Sequence, residues 1–179
     1  MQDMLFHAPP PRLSAKSFEW YTPGQIIAAA RRVLGDIELD PASCALANQT
    51  VRADRFLTWP ARSVWLNPPY CKTAGVSNQE LWTVKLIQEY EADQVEQALL
   101  LVNAATETRW FQRLFAYPMC FIRGRLRFTN PQNIDTGATV GSTVVYFGPR
   151  ADLFFSAFDG LGSLVLPALL RSTPQLWEV

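Results

Sequence analysis

Three observations on this chain predict an α/β fold with a mainly parallel sheet, antiparallel strands at its edge and helices on both faces. Between residues 18 and 115, segments of helical spacing alternate with short apolar runs, the order expected when crossover helices join parallel strands. The runs Val64-Trp65-Leu66 and Ala98 to Val102 are continuously apolar, as in strands covered on both faces. Beyond Pro118 the strand-like segments follow one another without long helices between them, which suits antiparallel strands added at an edge.

Each element has a local reason. Residues 1–17 are Pro-rich and aperiodic and read as a flexible arm, with a single domain over 18–158 and a C-terminal extension over 159–179. Thr22, Pro23 and Gln25 form a capping-box start with proline at the first helical position, and Ile26, Ile27, Ala30, Val33 and Leu34 keep helical spacing up to Gly35. Ile37 to Asp40 reads as a short strand ending in Asp40-Pro41-Ala42-Ser43, followed by a short helix over Ser43 to Gln49 and a second strand over Arg52 to Leu57. Ser63 to Leu66 is a third, buried strand, and Cys71 to Asn78 continues from it as polar loop. Leu81 to Tyr90 resumes helical spacing. Ala98 to Val102 is the next strand, after which Thr106 can cap a helix carrying Trp110, Phe111, Leu114 and Phe115. Met119 to Ile122, Leu126 to Phe128 and Thr143 to Phe147 read as strands, and Ala151 to Phe158 as the final helix.

Composition narrows the function classes. A chain of 179 residues with 49% hydrophobic and 18% charged residues can bury a full core, which excludes a disordered segment. Formal net charge is zero, so a nucleic-acid partner has to be met by a local basic surface. Arg123, Arg125 and Arg127 alternate along an expected strand and share one face, giving a phosphate-binding stripe or a set of solvated edge charges. Three cysteines without ligand spacing and a single histidine, His7 in the leader, support neither a disulfide scaffold nor a metal site. The N-terminus lacks a signal-peptide pattern and the tail is interrupted by Gly162, Ser163 and Pro167, so no membrane span and a cytoplasmic setting are expected.

The chemistry concentrates in Asn67-Pro68-Pro69-Tyr70, directly after the Val64 to Leu66 run. The loop combines a side-chain amide, two prolines that leave carbonyls without N–H donors, and an aromatic face. Methylating an exocyclic base nitrogen requires such a set, because the nitrogen lone pair is delocalised into the ring and must be drawn out of plane before it attacks. Asn67 Oδ1 and the Pro68 carbonyl can accept the two N–H bonds, and Tyr70 can stack on an extruded base. A tight Pro-Pro turn after a buried strand is the plainer account of the same four residues. Ligands of open parallel sheets bind outside the carboxyl ends of the strands, where Asp40 to Ser43 and Asn67 to Tyr70 would meet. Asp40 could there hold the ammonium or ribose hydroxyls of S-adenosylmethionine, or simply cap a turn.

The ordered segments EWYTP, LDPAS, AN, NPPY, LVNAATETRWF and GRLRF, from about Phe18 to Phe158, resemble the phage DNA N6-adenine methyltransferase family. The resemblance implies a Rossmann-like methyltransferase fold and methyl transfer from S-adenosylmethionine to a flipped adenine in double-stranded DNA. It also implies a phage or prophage protein in the cytoplasm of a bacterial host. By the resemblance, Tyr21, Thr22 and Pro23 help enclose the donor, Asp40, Pro41 and Ala42 form its central loop, and Asp54 stands beside its ribose or adenine. Asn67, Pro68, Pro69 and Tyr70 are the catalytic loop and Phe128 sandwiches the flipped base; apart from the resemblance, the loop Cys71 to Asn78 could close over the site with Lys72 near phosphate, or be a plain solvated loop. Ser43 and Cys44 replace the usual glycines of the donor loop, and no extended target-recognition domain is present. Methylation of an RNA guanine or a protein glutamine, or a catalytically silent DNA-binding module of the same fold, are the alternatives.

Overall fold

The computed structural model describes residues 21–42, 59, 61–129 and 135–167. The expected helix over 43–49 and strand over 52–57 lie outside these residues, as do the N-terminal arm and the end of the C-terminal extension. In chain order the elements are α1 (Gly24–Leu34), β1 (Ala61–Leu66), β2 (Lys72–Thr73), β3 (Val76–Ser77), α2 (Asn78–Glu91), β4 (Val95–Asn103), α3 (Arg109–Gln112) with a 3-10 turn (Arg113–Ala116), β5 (Met119–Ile122), β6 (Arg127–Thr129), β7 (Asp135–Gly137), β8 (Ser142–Phe147), α4 (Ala151–Phe158) and β9 (Gly162–Val165).

Alternation along the strands builds two cores, one on each face of the sheet. Trp65, Leu99, Leu101, Cys120, Val144 and Tyr146 point to the face covered by α1 and α4. Val64, Leu66, Leu100, Val102, Val145 and Phe147 point to the face covered by α2 and α3. On the first face Ile26, Ala29, Ala30 and Val33 of α1 meet Phe154 and Phe158 of α4, all fully buried. Each such large apolar side chain contributes about 1.5–3 kcal/mol of burial. On the second face Trp82 and Trp110 are helix-face packing residues, both buried.

The main sheet has the order β1-β4-β8-β5-β9. β1 and β4 are parallel, whereas β8 is antiparallel to both β4 and β5, and β9 is antiparallel to β5. The sheet is therefore mixed, and the expectation of antiparallel strands only at the edge is corrected: β8 runs antiparallel in the interior. The reason lies in the connection. Only the β6-β7 hairpin separates β5 from β8, so the chain re-enters the sheet from the end at which it left. The helix α4 then links β8 to β9, which run the same way with β5 between them. Close packing marks this edge, since a Cβ at Gly162 would sit 2.1 Å from the Phe121 carbonyl oxygen.

Three further corrections concern local structure. The segment at Ile37 to Asp40 contributes a single parallel bridge, Leu39 to Val64, rather than a full strand. Thr22 does not cap α1: Pro23 is the N-cap residue, its carbonyl accepting from the Ile26 and Ile27 N–H groups at 2.9 and 3.3 Å, and no side chain caps the helix. The cap of α3 is Thr108, whose Oγ1 accepts from the Phe111 N–H, not Thr106.

Candidate active site at the carboxyl edge of the sheet

Because Leu39 bridges Val64 in parallel and β1 pairs with β4 in parallel, residues 40, 67 and 103 leave the sheet at one edge. The Trp65 N–H donates to the Leu39 carbonyl at 3.0 Å, which fixes the Asp40 turn beside the Asn67 loop. Within the loop Pro68 and Pro69 are buried, while Asn67 is half-buried and Tyr70 retains 38% exposure.

The Asn67 carboxamide is held at both ends. Its Nδ2 donates to Thr22 Oγ1 at 3.2 Å, and its Oδ1 accepts from the Tyr70 hydroxyl at 3.0 Å. Desolvation raises the Tyr70 pKa well above that of an ordinary phenol, so the hydroxyl stays protonated and acts as a donor although part of the residue faces solvent. The Tyr70 ring meets Phe128 edge-on, with centroids 5.9 Å apart and planes at 61°. A base sandwiched between parallel rings needs about 7 Å, twice the ~3.5 Å carbon contact distance. The slot between these two rings is closed in this state.

Phe128 reaches this place through the β6-β7 hairpin. The hairpin is tied to the start of the chain by an antiparallel bridge between Thr129 and Tyr21, with Tyr21 N–H donating to the Thr129 carbonyl at 2.7 Å. Phe128 is 6% exposed and belongs to the core cluster beneath α1, so it has a packing role whatever else it does. Tyr21 itself is largely exposed.

Asp40 is the acidic group of this edge. Burial raises its pKa from 3.8 to about 6, and a hydrogen bond from the Ala42 backbone N–H offsets part of that cost. A carboxylate so desolvated favours a cationic or hydroxyl partner. Pro41 beside it is buried and Ala42 half-buried. Asp54 lies outside the described residues.

The basic residues are distributed differently from the expected stripe. β5 ends at Ile122, Gly124 turns the chain with φ +75°, and Arg127 begins β6, so Arg123, Arg125 and Arg127 do not share one strand face. All three are exposed, as is Lys72 at the start of β2.

Some supporting residues escaped the sequence reading. Residues 71–78, expected as polar loop, form the β2-β3 hairpin and open α2. Buried Asn78 locks that hairpin: its N–H donates to the Cys71 carbonyl at 3.0 Å, its Nδ2 to Cys71 Sγ at 2.9 Å, and its Oδ1 accepts from Thr73 Oγ1 at 2.9 Å. Buried Gln79 accepts from the Asn103 N–H at 2.7 Å and so joins α2 to the end of β4. The adjacent amides Asn78-Gln79 at the start of an amphipathic helix were the available signal. Among the described residues no group of three or more His, Cys, Asp or Glu is gathered as a metal would require, and no helix is long and apolar enough to cross a membrane.

No curated protein and no solved structure matches the chain. A family match does exist, and it spans the whole of the edge just described, from the Tyr21 segment through the Asn67 loop to Phe128. Residues 13–149 match the DNA N-6-adenine-methyltransferase (Dam) family, well over half of the sequence, and the chain belongs to that family.

Proposed function

We propose that this protein transfers a methyl group from S-adenosylmethionine to N6 of an adenine flipped out of double-stranded DNA. The observation that carries the reading is the Asn67 carboxamide, held at the carboxyl edge of parallel strands beside the desolvated Asp40 and an exposed Tyr70 ring. Family membership supplies the polymer and the base. A Rossmann-like methyltransferase fold accords with the parallel run Leu39-β1-β4 and the antiparallel β8 inserted between β4 and β5.

The donor contributes an electrophilic methyl on a sulfonium. Asp40 suits its ammonium or ribose hydroxyls, with Tyr21 to Pro23, Pro41 and Ala42 as neighbouring walls. On the acceptor side, Asn67 Oδ1 and the Pro68 carbonyl take the two N6 hydrogens and draw the lone pair towards the methyl. The N–C bond forms as the C–S bond breaks, and the ammonium formed at N6 loses a proton to solvent. For the base to enter, Tyr70 has to leave Asn67 and turn its face, which frees the acceptor and opens the gap to Phe128 in one movement. Lys72, Arg123, Arg125 and Arg127 are the phosphate-facing groups of this reading.

Labelled S-adenosylmethionine offered with separate duplex DNA, RNA and protein acceptors tests it. Label recovered as N6-methyladenine in DNA is the expected result. Label only in RNA or protein would overturn the polymer assignment, and label nowhere would leave a silent module.

A further inference from the structure

Tyr70 has to swing if a base is to enter, so the groups that fix its backbone bear on the chemistry. On its N-terminal side Pro68 and Pro69 hold the chain at a set φ, and both are buried. On its C-terminal side the fixture is Asn78, a residue outside the loop.

Asn78 is 3% exposed and stands at a junction. It is the first residue of α2, and it closes the β2-β3 hairpin by pairing with Cys71 one step beyond Lys72 and Ser77. Its N–H donates to the Cys71 carbonyl at 3.0 Å. Its carboxamide spans the hairpin, with Nδ2 donating to Cys71 Sγ at 2.9 Å and Oδ1 accepting from Thr73 Oγ1 at 2.9 Å. A thiol and a hydroxyl each bond in either sense, so the tie holds whichever way the amide faces. Packing alone would not place a carboxamide here, because burying one costs free energy unless it is bonded. The anchor is itself held to the sheet, since the next residue, Gln79, accepts from the Asn103 N–H at 2.7 Å at the end of β4.

Tyr70 is therefore a single residue between clamped neighbours. Its ring changes place by turning about its own side-chain bonds, without displacement of the loop. We infer that Asn78 is a positioning residue for base methylation, fixing the Cys71 end of the loop so that Tyr70 swings from Asn67 to the base about a set pivot. The assignment rests on the methyltransferase reading above.

Asn78→Ala keeps the backbone bond to Cys71 and releases the side-chain ties. The loop end must then be ordered as the base arrives, and kcat/KM on an adenine duplex should fall about five- to thirtyfold, the equivalent of fixing the backbone of one residue. Donor affinity by calorimetry should be kept, since the Asp40 turn is fixed by Trp65 and not by the hairpin. In a Tyr70→Ala background there is no ring to aim, and the same change should cost less than about twofold.

A general disturbance of α2 or of the sheet would cost the same factor in both backgrounds, and that result would overturn the inference. So would an Asn78→Ala protein with normal kcat/KM, or one whose defect lies in donor affinity alone. Thr73→Val cuts the tie at its exposed end and keeps the test decisive if Asn78→Ala does not fold. It should cost about two- to fivefold, the worth of one neutral hydrogen bond, and only where the Tyr70 ring is present; an equal loss without the ring again overturns the assignment. If the unsubstituted protein methylates no DNA, the functional reading itself has failed, and that is seen before any variant is compared.

Discussion

The Tyr70 hydroxyl donates to Asn67 Oδ1 at 3.0 Å, so the proposed acceptor and the proposed stacking ring of this loop are partners before substrate arrives. Substrate must exchange one hydrogen bond for another. The exchange is nearly balanced in energy, because a neutral hydrogen bond contributes only about 0.5–1.5 kcal/mol net.

This relationship separates two substitutions at Tyr70. Tyr70→Phe keeps the stacking face and releases Asn67, so transfer should be retained and the KM for DNA should hold or fall. Tyr70→Ala removes the face and should cost about 1–3 kcal/mol in kcat/KM, the worth of one aromatic stack. Single-turnover kinetics on one duplex checks both, and a Phe variant as impaired as the Ala variant would show that the hydroxyl has its own role in transfer.

On the proposed reading, Asn67→Ala removes an interaction that strengthens as the amine nitrogen becomes tetrahedral. Turnover should drop by about 3 kcal/mol of transition-state stabilisation while donor affinity is kept. A folded variant with normal turnover would exclude Asn67 from catalysis. Asn67→Asp keeps an acceptor in place and should retain partial activity.

If Asp40 holds the donor as proposed, donor binding depends on pH. Its pKa of about 6 in the free protein means that a cationic donor meets a protonated, less attractive carboxyl below that pH. Affinity for S-adenosylmethionine should therefore rise between pH 5 and 7, levelling above about 6, with a proton released on binding in the lower range. The stability of the free protein should run the other way. The folded chain holds this proton more tightly than the unfolded chain, so the contribution of Asp40 falls as pH rises from about 4 to about 6. Asp40→Asn should abolish both trends, as calorimetry and thermal melts across the range would show.

Arg123, Arg125 and Arg127 are exposed around the turn at Gly124 rather than along one strand. Replacing all three by glutamine should weaken duplex binding and flatten its salt dependence, by about one unit of slope for each phosphate no longer neutralised. Donor affinity should not change. Unaltered slope would place the DNA surface elsewhere, around Lys72 and Arg109.

Gly162→Ala tests the sheet edge. The added carbon would meet the Phe121 backbone oxygen at 2.1 Å, an atom that cannot rotate away. β9 should separate from β5 at a cost of about 1–3 kcal/mol. A lowered melting temperature with donor binding at the Asp40 turn retained is the expected outcome, since that turn lies at the opposite side of the sheet order from β9.

The sequence by itself determined which segments are buried and which loop is the candidate for the chemistry. Apolar runs at Val64 to Leu66 and Ala98 to Val102 encode strands covered twice, and α4 begins and ends at the residues its spacing indicates, Ala151 and Phe158. The Asn67 to Tyr70 loop follows at once from its residue types after a buried strand. These are local properties, set within a few residues by periodicity and by proline.

Tertiary structure alone decided how distant segments meet. Thr22 looks like a helix cap until α1 and β1 pack so as to bring its hydroxyl to Asn67, 45 residues away. The interior, antiparallel place of β8 depends on which end of the sheet the β6-β7 hairpin returns to, and burial pattern is the same for either direction. Phe128 faces Tyr70 because Thr129 bridges Tyr21, and the arginines part company because Gly124 turns the chain between them. Periodicity records how deeply a residue is buried; which partner it is buried against is set by packing between elements that are remote in the chain.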